Sequence, residues 1–248
     1  MRLEVCVGSV AEGIIAEKGG ADRIELNSAC SLGGLTPSVG TIKEAVDKIK
    51  IPIIVMIRPR AGAFVYNQSE LDIMERDIEE VKQYGIKGFA TGILKEDGRV
   101  DIAKCKKIFK KMEGKDIVFH RAFDLTPDPF EALEMCIDLG VKRILTSGQK
   151  PSAIEGAELI KKLIEKSKGR IEILPAVGIN KDTVEDFIKK TGCNQVHDAF
   201  PRIEYDPSGK LNPEIRFRSE KILPEYNYIS TEIKEIKAVR EKLDSIEH

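Results

Sequence analysis

Excess charge of either sign is missing from this sequence: 40 basic side chains stand against 41 acidic ones, for a net charge of −1. That balance offers no general attraction for nucleic acid or an anionic membrane, so the expected ligand is small. No apolar run approaches the roughly 20 residues of a membrane span. Met1-Arg2-Leu3-Glu4 enters a strand at once and leaves no room for a signal peptide, so the expected location is cytoplasmic. Cysteines are few and unpatterned. The five, at 6, 30, 105, 136 and 193, are odd in number, widely spaced and without a Cys-x-x-Cys pair, which argues against a disulfide framework or a structural zinc site. The first strand is followed by no glycine-rich dinucleotide fingerprint. No lysine stands in the sixth strand either, which removes the usual Schiff-base aldolase.

What is present is a regular alternation. Leu3 to Val7, Arg23 to Leu26, Ile53 to Ile57, Gly88 to Thr91, Ile117 to His120, Arg143 to Thr146, Ile171 to Leu174 and Gln195 to Asp198 read as short strands. Between them run amphipathic stretches with helical spacing: Leu71, Met74, Ile78 and Val81 in one, Cys105, Ile108, Phe109 and Met112 in another, Ile154, Ala157, Ile160 and Leu163 in a third. Ser9, Ser38 and Asp101 stand where N-caps are needed. Strands and helices alternating over 248 residues predict an α/β fold, a TIM (β/α)8 barrel forming a single domain over residues 1–248. An open doubly wound sheet is the alternative. One piece is irregular: Ala199 to Ser230, with five prolines or glycines among Pro201, Pro207, Gly209, Pro213 and Pro224, is a long segment between the eighth strand and the last helix. A lid over the mouth and an oligomer contact both suit it, and Arg216 and Arg218 serve either.

In a barrel, apolar side chains facing the helices leave the other strand face inside, which places Glu4, Cys6, Glu25, Asn27, Met56, Arg58, His120 and His197 in the interior. Active sites of this fold lie at the carboxyl ends of the strands. There Arg58, Arg60 and Arg121, with Ser147 and Gly178, suit capture of a phosphate or carboxylate. His120, with Asp124 or Glu25, suits acid–base chemistry, or else is a hydrogen-bonded core histidine. Glu4 and Glu25 cannot stay ionised alone inside the barrel, and Arg58 is the expected partner in a floor network. A metal is the other reading. Cys6, Cys30 and Met56, with His120, are thiol, thioether and imidazole donors that suit a soft ion such as Cu(I), while Cys105, Cys136 and Cys193 read as packed core thiols.

Several blocks carry a family resemblance. Glu4-Val5-Cys6-Val7, Gly19-Gly20-Ala21-Asp22-Arg23-Ile24-Glu25-Leu26, Gly33-Gly34-Leu35-Thr36-Pro37-Ser38, Met56-Ile57-Arg58-Pro59-Arg60, Phe119-His120-Arg121-Ala122-Phe123-Asp124 and Ile144-Leu145-Thr146-Ser147-Gly148 resemble the CutC family of copper homeostasis proteins in order and spacing. The resemblance implies a TIM barrel, a cytosolic location, a homodimer or higher homo-oligomer, and a role in copper handling. The sequence departs from the family pattern at Asn27, where many members have cysteine, at Ala176-Val177-Gly178, where they run glycines, and at Asp198-Ala199-Phe200, where they have small residues. Two functions follow: copper homeostasis with Cu(I) binding, or an enzyme acting on a small anionic metabolite.

Overall fold

The computed structural model describes residues 1–217 and 223–246; Arg218 lies outside the described residues. In chain order the elements of the barrel are β1 (Arg2–Val7), α1 (Val10–Lys18), β2 (Arg23–Leu26), α2 (Val39–Lys48), β3 (Ile53–Met56), α3 (Gln68–Val81), β4 (Gly88–Thr91) and α4 (Ile102–Lys111). Then come β5 (Asp116–Phe119), α5 (Pro129–Asp138), β6 (Arg143–Thr146), α6 (Ala157–Ser167), β7 (Glu172–Pro175), α7 (Val184–Thr191) and β8 (Gln195–Asp198), with α8 (Ile233–Ser245) last. The eight strands pair in parallel in the order β7-β6-β5-β4-β3-β2-β1-β8, and a bridge between Ala176 and His197 joins the two ends. This is the expected TIM barrel.

Local chemistry explains the boundaries. Side-chain oxygens of Ser9, Ser38, Asn67, Asp101 and Asp128 accept from free backbone amides in the first turns of α1 to α5, and Asn67 with Glu70 forms a reciprocal capping box. The helical stripes face the strands, as Leu71, Met74, Ile78 and Val81 of α3 do, all buried. One expectation fails at α6. Ile154 lies in a turn before that helix and is exposed, and the helix starts only after Gly156, whose backbone packs against Ser147 and Gly148 too closely for a Cβ.

Inside the barrel an apolar cluster of Ile54, Met56, Ala90, Val118, Leu145, Leu174 and Ala176 is kept apart from the larger core between strands and helices. Below it, where the strands begin, buried charges are paired. Arg23 bonds Glu4 through Nε and Gln195 through Nη2, Gln195 reaches Glu172 at 3.3 Å, and Arg143 bridges Glu172 at 3.0 Å and Asp116 at 3.2 Å. The expected pairing of Arg58 with Glu4 and Glu25 is therefore corrected. Arg58 sits at the other end and donates to the carbonyls of Leu32, Gly34 and Gly62, while Arg23, the register partner of Glu4, neutralises that carboxylate.

The long segment forms an antiparallel ribbon, β9 (Pro201–Tyr205) with β10 (Asn227–Thr231), which lies along α1, where Thr231 reaches Glu12. Ile203 faces Ile229 across the ribbon and both are exposed. Of the described residues in this segment, only Ala199 lines the mouth of the barrel.

Candidate functional site

At the carboxyl ends of the strands is a cavity of about 480 Å³, lined among others by Cys6, Glu25, Asn27, Cys30, Met56, Arg58, Phe64, His120, Arg121, Asp124 and His197. β8, β1 and β2 are consecutive neighbours in the sheet, so their last inward side chains meet. The Cys6 thiol, a Glu25 oxygen and a His197 ring nitrogen lie within 4.8 Å of one another. Behind this group, His197 Nδ1 is 2.8 Å from Glu4 Oε1, which fixes the ring and leaves Nε2 for a ligand. Cys30 comes to the same cavity from a short 3-10 turn (Cys30–Leu32).

Protonation follows from these contacts. Burial acts to raise the Glu4 carboxyl, but Arg23 and His197 outweigh it and hold it down at about 2. Burial pushes Glu25 up, with the charge of Glu4 adding to it against His197 and Asn27. Burial opposes charge on His197, yet Glu4 and Glu25 raise it above the ordinary imidazole value. Interaction with the Cys30 thiol, then burial and the Glu25 charge, push the Cys6 thiol up, while the same interaction lowers Cys30.

His120 is the opposite case. It lies across the mouth under Phe64, ring centroids 4.7 Å apart, and burial with the nearby Arg58 charge lowers it to about 3. It is a neutral imidazole at physiological pH, its Nδ1 accepting from the Ala122 amide at 3.2 Å and its Nε2 buried without a partner. Glu25 Oε1, Asn27 Oδ1 and Arg58 Nε are also buried and unpartnered. Buried polar atoms are seldom left so, and four around one cavity mark where a ligand's polar groups would go.

The remaining sequence candidates separate. Asp124 accepts from Arg121 Nε at 2.9 Å, from Ser147 N and Oγ at 3.1 and 3.0 Å, from Gln149 N at 3.2 Å and from Thr146 Oγ1, so it clips the loops after β5 and β6 together. Ser147 is wholly buried in that clip. Arg60 turns away from the cavity to Glu70 and the carbonyls of Ala61, Ala63 and Val65. Gly178 and the amide after it could serve an anion, but Asp198 Oδ2 already accepts from Ile179 N at 2.8 Å and Oδ1 from Ala199 N at 2.8 Å. A side-chain carboxylate thus occupies the place of a bound phosphate. Val177 beside it has φ +79°, a left-handed conformation strained for a β-branched residue.

Sequence reasoning placed His197 inside but gave it no role, and it missed Phe64 and Arg23. The signal for His197 was its strand parity, with Val196 packed toward the helices, and its place on the strand that must neighbour β1.

The sequence pattern of the CutC family matches residues 1–201. The chain belongs to the CutC family. A relative from Treponema denticola named family protein CutC is 44% identical over 225 residues, 91% of this chain and 92% of its own. The human copper homeostasis protein cutC homolog is 45% identical over 195 residues, 79% of this chain and 71% of its own. The crystal structure described as the putative copper homeostasis protein CutC from Streptococcus agalactiae superimposes with a TM-score of 0.76 at 34% identity, over 80% of this chain and 98% of that one. Phosphoribosylanthranilate isomerase from Thermotoga maritima, at 12% identity and a TM-score of 0.56, shares the barrel fold alone. The CutC pattern ends at the first residue of β9, so the ribbon and α8 lie beyond it.

Proposed function

We propose that the mouth of this barrel binds copper as Cu(I), the ion being cargo in a cytosolic copper homeostasis role. One observation carries the reading: Cys6, Glu25 and His197 converge within 4.8 Å, with Glu4 holding the far side of the imidazole. Thiolate and imidazole are donors that Cu(I) favours, and a carboxylate behind a metal-binding histidine orients the ring and strengthens its donor nitrogen. Cys30 adds a second thiol and Met56 a thioether at the same cavity. His197 replaces His120 in the donor set read from the sequence.

Cys6 must lose its proton and His197 must be neutral before either can bind, so affinity falls as pH falls. Anaerobic competition against a Cu(I) chelator tests the reading. Cys6→Ser and His197→Asn are each expected to lower affinity by roughly tenfold or more, since a ligand atom is lost. Unchanged affinity in Cys6→Ser would sink it.

A second reading has its own support. The cavity of about 480 Å³ is larger than one ion needs, and Glu25, Asn27, His120 and Arg58, which line it, each have a buried polar atom without a partner. These suit a small anionic metabolite, with Arg58 and Arg121 as the cations, neutral His120 offering its Nε2–H as a donor and Glu25, its carboxyl raised by burial, as the acid–base group. A thermal shift by a phosphorylated or carboxylated metabolite, lost in Glu25→Gln, would favour it. The protein is further read as a homo-oligomer, on the strength of the uncovered Ile203 and Ile229 of its ribbon.

A further inference from the structure

We propose that Cys6 and Cys30 are a redox couple, which a low-molecular-weight disulfide converts to an internal disulfide, removing both thiols from the mouth's set of soft donors. The gating of copper rests on the function proposed above; formation of the disulfide does not.

Cys30 is not a member of the ordered core. Its turn is bracketed by two left-handed residues, Ala29 at φ +48° and Gly33 at φ +85°, which fold the chain back over the end of β1. There the Cys30 Sγ lies 3.0 Å from where a Cβ on Gly8 would stand, so the glycine leaves room for the sulfur. Cys6 stands two residues before Gly8, lines the same cavity as Cys30, and accepts from Asn27 Nδ2 at 3.3 Å. Cys30 is exposed and Cys6 half-buried, whereas Cys105, Cys136 and Cys193 are buried in the core. An outside disulfide therefore meets Cys30 first.

The exchange balances without a metal. The Cys30 thiolate attacks one sulfur of the external disulfide RSSR, forming a mixed disulfide and expelling one thiolate. Cys6 then gives its proton to a departing thiolate and attacks the Cys30 sulfur, the mixed S–S bond breaks, and the second thiol leaves. In sum, two protein thiols and RSSR become one protein disulfide and two RSH. A disulfide held by an exposed turn is of the labile kind found in reducing compartments, one that forms and reverts with the thiol pool.

The test uses the full chain, reduced and then equilibrated with glutathione and glutathione disulfide at graded ratios, acid-quenched, alkylated and weighed intact and as peptides. The expected result is loss of two hydrogens with no adduct, mapped to a Cys6–Cys30 cross-link and reversed by dithiothreitol. Cys6→Ser is expected to stop at a glutathione adduct on Cys30, and Cys30→Ser to leave Cys6 reduced. A persistent Cys30 adduct in the natural sequence, a cross-link through another cysteine, or five alkylatable thiols throughout would overturn the couple. Cu(I) uptake measured on the same samples separates the two ideas. Uptake lost on oxidation and regained on reduction supports gating; a cross-link in a protein that takes up no Cu(I) when reduced keeps the couple and overturns the gating.

Discussion

Two buried residues show how firmly the barrel's interior depends on pairing. Arg23 neutralises Glu4, and neither reaches solvent. Arg23→Leu would leave Glu4 with His197 alone, and breaking a buried pair from one side costs roughly 3–5 kcal/mol, measurable as a lower urea midpoint. His120 works through pH. Its folded value, about 3, lies below the ordinary 6.5, so the unfolded chain binds its proton more readily and acid pulls toward unfolding. Its contribution is intact above the ordinary value and declines as pH falls toward the folded one. His197 and Glu25 are raised and act oppositely, binding protons better in the folded state as pH falls. In His120→Asn the melting temperature should therefore fall less between pH 6.5 and 4 than in the natural sequence, by a scan at fixed ionic strength; an equal fall would mean His120 is not the acid-sensitive group.

At the scale of elements, most of the fold was legible and the site only half so. Strand and helix identities follow from periodicity, and the caps at Ser9, Ser38 and Asp101 mark helix starts because a free amide needs an acceptor there. Strand parity also predicted which side chains face inward. It could not give the stagger between strands, and stagger decides which inward charges meet. Glu4 pairs with Arg23 because their register aligns them, whereas Arg58, equally inward, lies nearer the mouth. Asp124 was legible as a rim acid but not as a clip, since four of its five donors come from segments after β5 and β6 whose path no periodicity encodes. The β7–α7 turn offers a prediction of its own. Val177 is held left-handed, a conformation costing of order 1–3 kcal/mol that glycine adopts freely. After the entropy cost of glycine, Val177→Gly should stabilise the protein by roughly 1 kcal/mol in urea titration.

The whole molecule is a barrel with a projecting ribbon. The ribbon's Ile203 and Tyr205 on β9 and Tyr228 and Ile229 on β10 are each about half exposed or more, at 60%, 52%, 50% and 49%. Isolated two-stranded ribbons gain little from their own packing. If the ribbon mediates the proposed self-association, Ile203→Asp with Ile229→Asp is expected to shift the protein toward monomer in sedimentation velocity while leaving the melting temperature of the barrel unchanged; an unaltered sedimentation coefficient would rule the ribbon out as such a contact.

The barrel's closure is uneven. Neighbouring strands elsewhere share two to four aligned pairs, but β7 and β8 are joined by the single bridge from Ala176 to His197. The hoop therefore has a seam, and the side chain that backs onto Glu4 is one edge of it. Breathing of the barrel should begin there, with amide hydrogens of β8 exchanging sooner than those of β1 or β2. Anything gripped between His197 and Cys6 would act as a latch on that seam, so occupancy at the mouth would be written into the exchange rates of a strand rather than into a change of shape.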